Sequence, residues 1–231
     1  MKKIVSLLLA LCLVLSFAGC GSKGPEILGT YETTVDLKKM LVEQIDGESG
    51  LPISFGEYLD SCEVVLVSEF KEDGTYFQSV DMDKFEETYE KLKASMAVYM
   101  EDAFVQLLID QMAMYGVVAE TKEELEAAVG LTFDEIILQS LGMDLATFIE
   151  SMMGETLLEE FEEAAVAEGK YKAEKGKLHM SESLDVDYKD DAYEVYTIKG
   201  NVVTVTEGVN VDNSDFAEFF GYPMVMTKVS K

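Results

Sequence analysis

The hydrophobic period changes twice along this 231-residue chain, and the two changes limit its fold more than any single motif does. Up to about residue 82, and again from about 168, apolar and branched residues come in short runs set off by turns containing Gly and Asp. That is the pattern of strands. Between Asp83 and Ala167 the spacing is helical instead. Phe85, Tyr89, Leu92, Met96, Tyr99 and Ala103 follow one another at steps of three and four, which lays one apolar stripe along a long helix. The consequence is a β protein with an α-helical block set into its middle.

Three strands precede the block: Ile27–Val35, Glu63–Phe70 and Thr75–Val80, the last two joined through Asp73-Gly74, a pair that commonly closes a hairpin. Between the first two, Asp36 is placed to cap a short helix through Ile45, Gly47 to Pro52 breaks it, and Phe55 to Leu59 makes a further turn. Five strands follow the block. Gly169–Ala173 turns at Lys175-Gly176 into Lys177–Ser181, Tyr193–Ile198 turns at Lys199-Gly200-Asn201 into Val202–Thr206, and Met224–Val229 closes the series after a helical turn at Asp215–Phe220. Within the block the long helix runs to Tyr115 and Thr121-Lys122-Glu123-Glu124 starts another. Thr132-Phe133-Asp134-Glu135 repeats that capping box, in which the threonine oxygen and the glutamate serve the free amides of a helix start. Asp144 opens Leu145–Met153, and a last helix spans Thr156–Ala167.

Eight strands in hairpin order can close into an up-and-down barrel, which leaves no sheet edge exposed. The expected fold class is α+β: an antiparallel eight-strand meander barrel, residues 27–82 plus 168–231, interrupted by a helical insertion, 83–167. Gly29-Thr30-Tyr31, Asp73-Gly74-Thr75-Tyr76, Gly169-Lys170-Tyr171 and Ile198-Lys199-Gly200-Asn201 together resemble the lipocalin-like domains of bacterial lipoproteins, which usually carry Gly-x-Trp where this chain has Gly29-Thr30-Tyr31. The resemblance covers about 26–82 and 168–230 and implies a barrel that binds a small apolar molecule. Taken alone, each Gly-x-Tyr is also what a strand start after a turn requires.

Lys2 and Lys3 precede Ile4–Phe17, an apolar run of export-signal length, and Phe17-Ala18-Gly19-Cys20 resembles the lipobox of bacterial lipoproteins. By that resemblance residues 1–19 are a signal peptide and Cys20 carries a diacylglycerol, a two-chain anchor that holds stably where one chain does not. The protein is then expected on the extracytoplasmic face of the cell membrane. No later stretch has the roughly 20 apolar residues a spanning helix needs. Residues 20–26 would serve as a tether, its Gly21–Glu26 part reaching roughly 20 Å when extended. Residues 20–231 hold 16 basic against 45 acidic side chains, a formal charge of −29, with no arginine anywhere. Clustered Lys and Arg displace counterions from phosphates, so nucleic acid is not an expected partner. Repulsion from anionic lipid decays over about 8 Å at physiological salt, within the reach of the tether.

Little in the chain suggests chemistry. Once Cys20 is lipidated, Cys62 is alone and reads as a packed strand residue. His179 is the one histidine, and it alternates with Leu178 and Met180, which points it away from their apolar face and toward the surface. Zinc held by nitrogen or sulfur lacks ligands here, and a serine hydrolase lacks its elbow. Paired carboxylates of the glycosidase kind stay open on spacing, although the tryptophan platforms usual beside them are absent. Asp185, Asp187, Asp190 and Asp191 are candidate calcium ligands. Lys189, Asp190 and Tyr196 stand where an EF-hand needs a ligand, a glycine and a glutamate, and the alternative is a solvated acidic loop. Eight of the thirteen methionines lie in or beside the insertion, a composition that suits either a gap-filled core or an adaptable protein-binding surface. Gly142–Phe148 is similar to the helical chaperone region of foldases of the SurA/PrsA type. The reading is a non-enzymatic lipoprotein without a cofactor that binds a small apolar ligand. The alternative is a chaperone-like interaction module built on the Met-rich insertion.

Overall fold

Hairpin chemistry organises the sheet. A computed structural model describes residues 27–153, 166–181, 183–211 and 222–229. Its strands are β1 (Gly29–Asp36), β2 (Glu63–Phe70), β3 (Thr75–Val80), β4 (Ala167–Glu174), β5 (Lys177–Met180), β6 (Tyr193–Lys199), β7 (Val202–Val209) and β8 (Met224–Lys228). Each pairs antiparallel with the next, and β8 returns to β1 through Tyr31 opposite Lys228 and Glu32 opposite Thr227, so the sheet is a closed barrel. The eight-strand lipocalin-like expectation is met. Lys175 (φ 52°) and Gly176 (φ 77°) supply the two left-handed residues of a tight turn between β4 and β5, the backbone that a two-residue hairpin of matching twist requires.

Alternation then decides what faces inward. β2 buries Val64, Leu66, Ser68 and Phe70 while the residues between them stay partly open, and its cross-strand partners follow the same phase. Ala173 opposite Leu178 and Tyr171 opposite Met180 carry the inner face across β4 and β5. On β6 and β7 the register shifts between Val195 and Tyr196, a bulge that puts both Val205 and Gly208 of β7 opposite inner positions of β6.

The chain divides into two compact units. Among the described residues, the barrel unit comprises 27–37, 63–87 and those from 166 onward, and the second comprises 38–62 and 88–153. Residues 38–62, read from the sequence as part of the barrel segment, thus cluster with the helices. Their packing explains it: α1 (Lys38–Ser49) is tied to the 3-10 turn Phe55–Glu57 by Asp46, whose carboxylate accepts from Ser54 Oγ (2.5 Å) and the Phe55 amide (2.7 Å). Phe55 in turn meets Tyr99 edge to face at 5.2 Å. α2 (Met82–Ala113) belongs to this unit from Thr88 onward, with α3 (Lys122–Val129), α4 (Phe133–Leu141) and α5 (Leu145–Met152). Thr121, Thr132 and Asp144 cap the last three, Thr132 and Glu135 forming the full reciprocal box. The expected helices at 156–167 and 215–220 fall outside the described residues, save that Val166 is not helical and Ala167 begins β4.

Candidate functional site: the barrel interior

The two ends of the barrel differ. At one, β2–β3, β4–β5 and β6–β7 are joined by the short turns 71–74, 175–176 and 200–201. At the other the strands run out into the long connections 37–62, 81–166, 181–192 and 210–223.

The short-turn end has an aromatic floor. Phe70 stands at its centre, with Tyr31 at 5.9 Å, Tyr171 at 4.9 Å and Tyr76 at 6.3 Å between ring centroids. These three tyrosines are the ones in the Gly29, Gly74 and Gly169 motifs. The motifs therefore converge in space. Burial holds the Tyr171 phenol up to about 12, so its proton stays on. That hydroxyl lies 3.0 Å from the Ile27 carbonyl and 2.9 Å from the Lys71 carbonyl, one donor shared between two acceptors far apart in sequence. Tyr76 donates to the Ser181 carbonyl at 2.8 Å. Gly169 is there because nothing larger fits: a Cβ would press on the Ser181 carbonyl and lie 2.8 Å from both Ser181 Oγ and Tyr76.

Away from the floor the inner face is apolar with a few polar exceptions. Gln78 is 1% exposed, and its Oε1 accepts from Ser68 Oγ at 3.1 Å while its Nε2 is buried without a partner among the described residues. Glu194, second residue of β6, stands opposite Leu178 on β5 and Gly208 on β7. Leu178 is an inner residue, and cross-strand neighbours share a face, so Glu194 is inner too. Its Oε1 accepts from the Tyr222 hydroxyl at 3.3 Å, while Oε2 is sealed from solvent with no donor among the described residues. Desolvation pushes this carboxyl up to about 7, opposed only by the Tyr222 hydrogen bond. Gln78, Glu194 and Tyr222 escaped the sequence reading. Gln78 was detectable, as the odd residue in the inner phase of Tyr76, Gln78 and Val80; Glu194 was not, because its facing depends on pairing with Leu178.

The residues singled out from sequence lie elsewhere. His179 does point away from Leu178 and Met180, as alternation requires, but it is 5% exposed rather than on the surface. Tyr188 of the 181–192 connection and Tyr193 of β6 flank its ring at 5.4 and 5.5 Å, and its Nδ1 donates to the Ala192 carbonyl at 3.0 Å. Burial, aided by the charge of Lys172, lowers its pKa below the ordinary 6.5 against the pull of that hydrogen bond. Asp185, Asp187, Asp190 and Asp191 are all exposed, and Asp187 pairs with Lys170 at 3.0 Å. Among the described residues no three His, Cys, Asp or Glu side chains converge to hold a metal ion. Cys62 is buried at 2% exposure, one residue before β2 rather than within a strand. Cys20 and the rest of 1–26 lie outside the described residues, and no described helix is long and apolar enough to cross a membrane. No protein-family model, curated protein or solved structure matches the chain.

Proposed function

We propose that this is a non-enzymatic lipoprotein, held on the extracytoplasmic face of the cell membrane by a diacylglycerol on Cys20, whose barrel binds a small and largely apolar molecule. One observation carries the binding reading: the barrel is built unequally. Its short-turn end holds the Phe70 cluster and is tied by the Tyr171 hydroxyl, while at its other end the strands run out into long connections instead of tight turns. An eight-stranded barrel encloses space for side chains and at most one small ligand, and a floor at one end defines a single direction of access. The anchor rests on the Phe17–Cys20 motif alone.

Protein made from residue 21 onward, and so never lipidated, should carry or take up one apolar molecule from a total lipid extract in native mass spectrometry. A species that stays ligand-free under all loading conditions would refute the carrier. In a bacterial host, Cys20→Ala should move the full chain from the membrane to the soluble fraction, and unchanged partition would refute the anchor.

A second reading, protein capture by the helical unit, is favoured by Met114, Tyr115 and Val118, which are 78, 79 and 86% exposed at and just beyond the end of α2. A contiguous exposed apolar patch marks a contact surface, and three such residues within five positions are the described segment best suited to form one. Replacing all three by serine should abolish crosslinking to an unfolded client protein if this reading holds, and should leave ligand uptake by the barrel intact.

A further inference from the structure

The polar group most out of place in the barrel is the Glu194 carboxyl. It stands on the inner face between Leu178 and Gly208, a hydrocarbon on one side and no side chain on the other. One of its oxygens has the Tyr222 hydroxyl, and the other is buried with no partner among the described residues. Lysines are scarce and engaged elsewhere: Lys170 faces Asp187, Lys172 faces Glu174, and Lys177 lies over the Tyr193 ring at 3.9 Å. A carboxyl so placed has two ways to avoid the cost of an unpaired buried charge. It can stay protonated, or it can receive a donor that the protein does not supply.

On the reading that the barrel is a carrier, we infer that its ligand is an apolar molecule bearing a protonated amine, which docks its ammonium on Oε2 of Glu194 and its hydrocarbon against the inner face. Three observations favour a cation over a neutral or acidic head. The unpartnered Oε2 of the ionised carboxylate can only accept, and a charge-assisted hydrogen bond to it is roughly twice as strong as a neutral one. Burial pushes the carboxyl up to about 7 by disfavouring its charged form, and an opposite charge beside it relieves that penalty. The chain's formal charge of −27 draws cations toward the protein and repels fatty carboxylates. Gly208, opposite Glu194 in the register, adds no side chain of its own beside the carboxyl.

The test is a matched series of ten-carbon probes, decylamine, 1-decanol and decanoate, titrated calorimetrically at pH 7.5 into wild-type protein and into Glu194→Gln. Decylamine should bind wild type at least about tenfold more tightly than the other two, the ratio that about 1.4 kcal/mol of charge-assisted bonding gives. In E194Q the three should fall within about threefold of one another. Comparable binding of all three to wild type, or an amine preference that survives in E194Q, would overturn the amine assignment and leave the carrier standing. Failure of all three to bind would overturn both. The ranking on wild type needs no variant, so poor folding of E194Q would not rescue the proposal.

Discussion

Replacing Glu194 by glutamine should stabilise the unliganded protein at pH 8 by far more than at pH 5. Glutamine keeps the shape and an oxygen for the Tyr222 hydroxyl but cannot ionise. In the wild type burial disfavours the charge and pushes the folded carboxyl up from 4.5 to about 7. At about 1.4 kcal/mol per unit, that rise corresponds to roughly 3 kcal/mol of destabilisation once the pH exceeds both values. Residue 194 as a whole is half-buried rather than fully enclosed, which trims the expectation to ~1–3 kcal/mol. The sign follows from proton counting: between 4.5 and about 7 the unfolded chain has released this proton and the folded one has kept it, so stability falls as pH rises. At pH 5 only about a quarter of the effect has developed, and the protein still stands off its isoelectric region near 4.2. Urea unfolding followed by circular dichroism at the two pH values gives the difference. Removing any negative charge from so acidic a chain helps somewhat, so the exposed Glu72→Gln serves as the reference. If E194Q gains no more than E72Q at pH 8, or if its advantage is as large at pH 5, the carboxyl is not buried as described.

The single histidine gives an unobstructed NMR signal. His179 should titrate with a midpoint below 6.5, and since its folded value is the lower one, the stability it contributes is present above 6.5 and lost as pH falls below it; a midpoint at or above 6.5 would place it in water. Gly169→Ala should cost at least ~1–3 kcal/mol, the range for overpacking, because its methyl meets the Ser181 carbonyl, which is backbone and cannot swing aside; a melting temperature within a degree of wild type would contradict that packing. Tyr171→Phe should cost about 1–3 kcal/mol by leaving the Ile27 and Lys71 carbonyls without their shared donor. Hydrogen exchange in that variant should rise first at the 71–74 turn; uniform exchange across the barrel would argue against a local tie.

The strands could be read from local pattern because a strand's alternation and a hairpin's turn residues act over a few neighbours. Glu63–Phe70 and Thr75–Val80 fall where their residues put them, and Lys175-Gly176 turns where its backbone preference demands. The stripe from Phe85 to Ala103 marked the long helix for the same reason, and Thr132 with Glu135 marked a start. Partnership at a distance has no such local trace. Nothing near Met40 or Leu41 states that α1 joins the helical unit, since an apolar helical face specifies that it will be covered and not by what. His179 faces outward as alternation dictates, yet it is buried with Tyr188 of the 181–192 connection beside its ring, and a loop's course over a sheet is decided by what it packs on. Tyr31, Tyr76 and Tyr171 announced strand starts in sequence and became one floor around Phe70 only through closure of the barrel. Glu194 shows the limit most plainly. On its own strand it is a carboxylate between Tyr193 and Val195, and only its register against Leu178 and Gly208 turns it from a solvated charge into the one acid of the inner face that lacks a partner among the described residues.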